Sequence, residues 1–194
     1  MTRFDPQSYG SFIAQILGED RPNALGPGTP TQPVPANLAA LSTDVAAAFA
    51  PRPIRDQDMA AGCLAALWLY HDHLDESHRI SQGIETPSGS YWHGLMHRRD
   101  PDFGNAKYWF RRVRQHPIFA PLQTAAAESA AGVELHPSAA FLKTQHAWDP
   151  FAFIDLCESC AAGRSPHSLL CRQIQRREWE LLFDYCYRQA CGLA

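Results

Sequence analysis

The sequence predicts an all-α fold, a bundle of about six to eight helices in a single domain with an N-terminal proline-rich arm. Three observations lead there. Nowhere in the 194 residues does a short run alternate β-branched and polar side chains as a half-buried strand would. Apolar residues recur at helical spacing across long stretches. Helix-start signals recur as well, a capping residue followed by proline at Asp5-Pro6, Asp149-Pro150 and Ser165-Pro166. With 45% apolar and 11% aromatic residues, the chain has enough material to bury one core across residues 1–194.

The elements follow in order. Asp5 and Pro6 open a short amphipathic helix over residues 5–17, with Tyr9, Phe12, Ile13, Ile16 and Leu17 on its apolar side. Residues 21–53 hold seven of the fifteen prolines, which remove backbone donors and fix φ. That composition predicts an extended arm wrapped on the surface, with one Ala-rich helix over 38–49. The helical core then spans 56–194. Asp56 caps a helix expected to run unbroken to about Gln82. Ser88 or Ser90 starts a helix across YWHGLMHRR that Asp100-Pro101 ends, and Asn105 caps AKYWFRRV, which stops before His116-Pro117. An Ala-rich helix over 118–131, a helix opened by Asp149-Pro150 and closed by Gly163, and a last helix over 166–191 complete the chain.

Charge and composition exclude some function classes. A net charge of -3 and a pI near 6.3 argue against a general nucleic-acid binder. No apolar run approaches the length of a membrane span, and MTRFDPQSYGSF lacks the pattern of a signal peptide, so a soluble, cytoplasmic protein is expected. Six cysteines then read as free, buried thiols. Cys157-x2-Cys160-x6-His167-x3-Cys171 only superficially resembles a zinc knuckle. Gly-x-Gly-x-x-Gly, P-loop and Gly-x-Ser-x-Gly strings are absent.

The chemistry concentrates between Met59 and Val113, which holds five of the nine histidines and three of the five tryptophans. At 100° per residue, Leu64, Leu67, Trp68, His71, Asp75 and His78 share one stripe of the expected 56–82 helix. The stripe is apolar in its first half, so its polar second half should be buried too. Buried polar groups left without partners cost about 1 to 3 kcal/mol each, so His71, Asp75 and His78 need partners. His93 and His97, four residues apart on the next helix, supply two more imidazoles on one face. Histidines and carboxylates on facing helices are a common way to hold zinc, iron or manganese.

Three readings stay open. In the first, His71, Asp75, His78, His93 and His97 bind a divalent metal. In the second, a metal-free His–carboxylate network performs acid–base work, with His71, Asp75 and His97 as catalytic candidates. In the third, the cluster is a structural lattice. In either of the first two, Arg98, Arg99 and Arg112 are placed to hold a small anionic molecule, together with Asn105, Trp109 and Glu178. Glu178 interrupts an apolar face of the last helix, so it is expected to meet an arginine or histidine from the central stretch, or to become a further ligand.

The strings YWHGLMHRRDPDFGNAKYWFRRV and HPIF, with ISQ before them, resemble a family of uncharacterised bacterial and fungal proteins. The resemblance covers about residues 64–119. It implies that this stretch is a unit and implies no particular activity.

The sequence therefore points to a small helical metal-dependent enzyme or binder acting on an anionic ligand. The alternative is a non-catalytic interaction module whose His/Arg cluster is a stability network.

Overall fold

The computed structural model of the chain describes residues 4–18, 21, 23–41 and 44–193, which form eleven α-helices and no strand. They are α1 (Ser11–Ile16), α2 (Ala36–Ala40), α3 (Val45–Phe49), α4 (Gln57–Tyr70), α5 (Leu74–Ser81), α6 (Pro87–Arg99), α7 (Phe103–Val113), α8 (Phe119–Ser129), α9 (Phe141–Thr144), α10 (Pro150–Ala161) and α11 (Ser168–Cys191). The all-α expectation holds. The count exceeds six to eight because α1, α2, α3 and α9 are pieces of six residues or fewer. No helix among the described residues is long and apolar enough to cross a membrane.

Several boundaries differ from the sequence reading, each for a local reason. Asp5 does cap its turn, accepting a hydrogen bond from the Gln7 N–H, but Pro6–Tyr9 forms a 3-10 turn. Gly10 at φ 92 then redirects the chain before α1 begins. The single Ala-rich helix is two, because Asp44 caps a fresh start at Val45 by accepting from the Ala47 N–H; Ser42 and Thr43 lie outside the described residues. Thr86, rather than Ser88 or Ser90, caps α6 through the Gly89 N–H, with Pro87 at the first helical position. Asp102, not Asn105, caps α7. Asp149 caps α10 as expected.

The most consequential difference is that the expected 56–82 helix is broken. Asp72 adopts φ 64, a left-handed conformation that Asp tolerates better than most residues. The chain therefore leaves α4 at Tyr70 and restarts in a new direction at α5. Asp72 is buried, and its carboxylate accepts from Arg99 Nη2 at 2.6 Å, Asn23 Nδ2 at 3.1 Å, the Thr29 N–H at 3.3 Å and Arg21 Nη2 at 3.4 Å. Three of those four donors come from the proline-rich arm. Further bonds run from the Thr31 N–H to the His71 carbonyl and from Arg99 to the carbonyls of Gly26 and Pro27. Gly28, at φ 76, passes so close that a β-carbon there would sit 2.6 Å from the Asp72 carboxyl carbon.

At the centre lies α6, of which every residue from Ser88 to Arg99 is buried although half of them are polar. It touches α4, α5 and α7, and Gly94 lets α7 close in, since a β-carbon at Gly94 would strike the Phe110 ring at 2.8 Å. Tyr91, Trp92, Leu95 and Met96 join α4 and the second half of α11 in the main apolar core. A second cluster packs α8, α9 and α10 on the first half of α11. Arg98 and Glu178, both fully buried, pair at 2.5 Å, and the Tyr91 hydroxyl donates to the other Glu178 oxygen at 2.9 Å. Arg98 also lies 4.8 Å over the Phe153 ring. All six cysteines are free and buried.

Removing one partner from a buried ion pair typically costs 3–5 kcal/mol, because the other charge is left without compensation. Asp72→Ala should therefore lower unfolding free energy by roughly 3 kcal/mol in urea titration. Limited proteolysis should then cut first within residues 23–31. Unchanged stability with an arm as resistant as in the wild type would show that Asp72 does not anchor it.

Candidate functional site

His93 and His97 lie one turn apart on α6, and their side chains project from the same face. The turn at Asp72 aims α5 so that His78 reaches that face. The ring centroids of His78 and His93 are 4.6 Å apart, and those of His78 and His97 are 5.4 Å apart. The Nε2 atoms of His93 and His97 face each other at 3.0 Å. One ring nitrogen from each of the three histidines falls within 4.8 Å of the others. His93 and His97 are buried, whereas His78 is half-exposed, so the cluster opens to solvent on the α5 side.

Neighbours from two elements, α5 and α7, fix these rings. Trp109 of α7 stacks on His93 with centroids 4.0 Å apart and planes 29° from parallel. The Arg112 guanidinium lies over the Trp109 ring, 5.2 Å from its centroid. Ser81 Oγ, at the end of α5, lies 3.4 Å from His93 Nδ1. Asp102, at the start of α7, places Oδ2 3.8 Å from His97 Nδ1.

Electrostatics favour neutral rings. Burial, reinforced by the nearby His97 and His78 rings, holds His93 down at about 4. His97 is lowered by burial too, against the opposing pull of Asp102. The Asp102 carboxyl is held below its usual range by the backbone N–H and side-chain amide of Asn105, together with His97. At neutral pH His93 and His97 are therefore neutral imidazoles beside an ionised carboxylate.

The five residues expected to bind a metal together divide. His78, His93 and His97 meet. His71 is buried as expected but caps the end of α4, with Nε2 2.9 Å from the Ile16 carbonyl and Nδ1 3.1 Å from Thr31 Oγ1. Asp75 is exposed. The common stripe failed because it assumed an unbroken helix through Asp72. Arg98 and Arg99 are buried in ion pairs with Glu178 and Asp72, which leaves Arg112 as the expected anion-binding arginine beside the histidines. Glu178 meets Arg98, as its position in the last helix suggested, and stands apart from the three imidazoles. Asn105 is exposed and donates to Asp102 at 2.6 Å. The sequence reading missed Asp102, Ser81 and the stacking of Trp109; only the Asp100-Pro101-Asp102 turn hinted at the first. A cavity of about 820 Å³ lies elsewhere, lined by Leu17, Leu69, Leu95, Gln175 and Trp179, and none of the three imidazoles borders it.

Two further histidines are held neutral by the fold. Burial lowers His71, and it brings His116 down to about 4. His116 Nδ1 accepts from the Ile118 N–H at 3.4 Å, so its Nε2 carries the proton and donates to Ser88 Oγ at 3.1 Å. Protonating Nδ1 would set two donors against each other. For a group whose folded pKa is depressed, the unfolded chain binds the proton first. Stability is therefore complete above pH 6.5 and is lost as pH falls toward 4. Metal-free protein should lose roughly 2 kcal/mol for each of His93 and His116 between pH 7 and pH 4.5. Urea midpoints across that range check this, with a shallower slope expected for His116→Gln, and a flat wild-type profile would contradict it. Comparison with known families, curated proteins and solved structures finds no match to this chain, so its chemistry is read from the site's own atoms.

Proposed function

We propose that the chain is a metal-dependent protein that holds a divalent cation, zinc before iron or manganese, on His78, His93 and His97. The single observation that carries this is the convergence of three imidazole nitrogens, within 4.8 Å of one another, from two separate helices. Zn–N bonds of about 2.0–2.1 Å in a tetrahedron set nitrogens roughly 3.3 Å apart. The His93–His97 pair at 3.0 Å is already near that spacing, and half-exposed His78 has room to close the remainder. An all-imidazole set with no carboxylate among its members suits zinc better than manganese, which prefers oxygen ligands, or non-haem iron, which commonly takes two histidines and a carboxylate.

Three imidazoles would leave such a cation free to take a water or a small ligand. Catalytic zinc sites have this composition, and zinc brings a bound water to a pKa near 7, making hydroxide available at neutral pH. Arg112, the cation over the Trp109 ring that stacks on His93, is the candidate to draw a small anion toward the cluster. We therefore favour a hydrolytic or hydration reaction on a small anionic substrate over redox chemistry.

A specific observation supports a metal-free second reading. The contacts Asp102–His97–His93 form a chain of carboxylate and two imidazoles, which is also an arrangement for general acid–base work.

Zinc titration of untagged, chelator-treated protein separates these. One zinc per chain is expected, with the stoichiometry abolished in His93→Ala/His97→Ala and affinity lowered at least tenfold in His78→Ala. His71→Ala should bind zinc as the wild type does. Absence of zinc, iron and manganese binding by folded wild-type protein would refute the metal reading.

A further inference from the structure

Resting on that three-histidine reading, we infer that Asp102 is a positioning residue that accepts the His97 Nδ1–H and so turns the His97 Nε2 lone pair toward the metal. The geometry around His97 carries this. His97 points Nε2 at His93 Nε2, 3.0 Å away, so its other nitrogen faces the opposite direction. That nitrogen, Nδ1, is buried and has no hydrogen-bond partner. A buried N–H without an acceptor is costly, and the facing group is Asp102 Oδ2 at 3.8 Å, within a small side-chain adjustment of a bond.

Asp102 is held there by its own backbone. Its N–H donates to the His97 carbonyl at 2.9 Å, closing the C-terminus of α6 and keeping the Asp102 backbone beside the ring. Asn105 then orients the carboxylate, its N–H donating to Oδ1 at 3.1 Å and its Nδ2 to Oδ2 at 2.6 Å. The carboxylate oxygen facing His97 keeps further acceptor capacity, since each oxygen of an ionised carboxylate can accept two bonds. The sequence Asp100-Pro101-Asp102-x2-Asn105 thus builds one device that ends α6, starts α7 and presents an anion to a histidine.

His93 has a matching arrangement. Ser81 Oγ lies 3.3 Å from the His78 carbonyl and 3.4 Å from His93 Nδ1, so when its proton goes to that carbonyl it can accept from His93 Nδ1. In that arrangement His93 carries its proton on Nδ1 as well. With both protons on Nδ1 the two Nε2 atoms, 3.0 Å apart, would present lone pairs to one point, a placement that a cation between them would relieve and that a proton on either Nε2 would turn into a hydrogen bond. Outer acceptors of this kind fix the tautomer and increase the basicity of ligating histidines, and their loss commonly weakens metal affinity by 10–100-fold.

The test uses Asp102→Asn, which keeps an N-cap for α7 but replaces the facing anion by a neutral amide, with Asp102→Ser as a second variant that retains the cap. Two readouts are taken on full-length protein: zinc affinity by competition with a chelator, and the His97 tautomer in metal-free protein from ring nitrogen NMR shifts. Wild-type protein should show His97 protonated at Nδ1, and both variants should shift it toward Nε2 protonation. Zinc affinity should fall about 10- to 100-fold in both, with thermal midpoints of the metal-free proteins close to wild type. If wild type binds zinc and the variants bind it equally well, the inference is overturned while the three-histidine site stands. If wild type binds no zinc, the site reading fails and the metal role of Asp102 fails with it. An unchanged His97 tautomer in Asp102→Asn overturns the positioning role whatever the zinc result.

Discussion

The buried carboxylate of Asp72 is the constraint on which the rest of the structure depends. A negative charge in an apolar interior is tolerable only when it is surrounded by donors, and Asp72 draws those donors from three places in the chain. Arg21, Asn23 and the Thr29 N–H bring the proline-rich arm in, while Arg99 ties it to the end of α6. The arm is therefore part of the packed structure, which its proline content alone does not require. The same residue, by taking a left-handed backbone, ends α4 and turns the chain into α5. Without that turn His78 would continue along the axis of α4, away from α6.

The second constraint is α6 itself, a polar helix buried along its whole length. Most of its polar side chains have partners inside the fold. Ser88 accepts from His116, Tyr91 and Arg98 share Glu178, and Arg99 joins the Asp72 network. These shared ion pairs and hydrogen bonds fix the placement of the neighbouring helices, although Arg98 Nε and Nη1 are left without a hydrogen-bond partner. They also separate structural from chemical polarity. Arg98 and Arg99 are committed to carboxylates inside the fold, whereas His93 and His97 chiefly face one another and His78.

That separation gives the histidine cluster its character. Burial holds His93 and His97 neutral, Trp109 covers the first of them, and Asp102 and Ser81 lie behind the nitrogens that do not face the centre. A set of neutral donors aimed at one point, backed by acceptors and open on one side, suits a bound cation with a position left for a small ligand. The alternative of a purely structural lattice explains Arg98, Arg99, His71 and His116 well. It accommodates the His93–His97 contact as a hydrogen bond but gives no purpose to the approach of His78 to the same point.

Local signals in the sequence determined much of the helix content. Capping by Asp5, Asp56 and Asp149, the end of α6 near Asp100-Pro101 and the apolar spacing of α4 and α11 are interactions within a few residues, and they read directly from the chain. The i, i+4 pair His93 and His97 was legible for the same reason. Tertiary structure decided what depends on distant partners. The break at Asp72 follows from donors up to fifty-one residues away, and helical periodicity carried through it placed His71 and Asp75 beside His78 when they are not. Asp102 became a neighbour of His97 through a turn whose cap could equally have been Asn105. Glu178 is separated from Arg98 by eighty residues, so its burial was evident from its position in α11, but its partner was settled by packing.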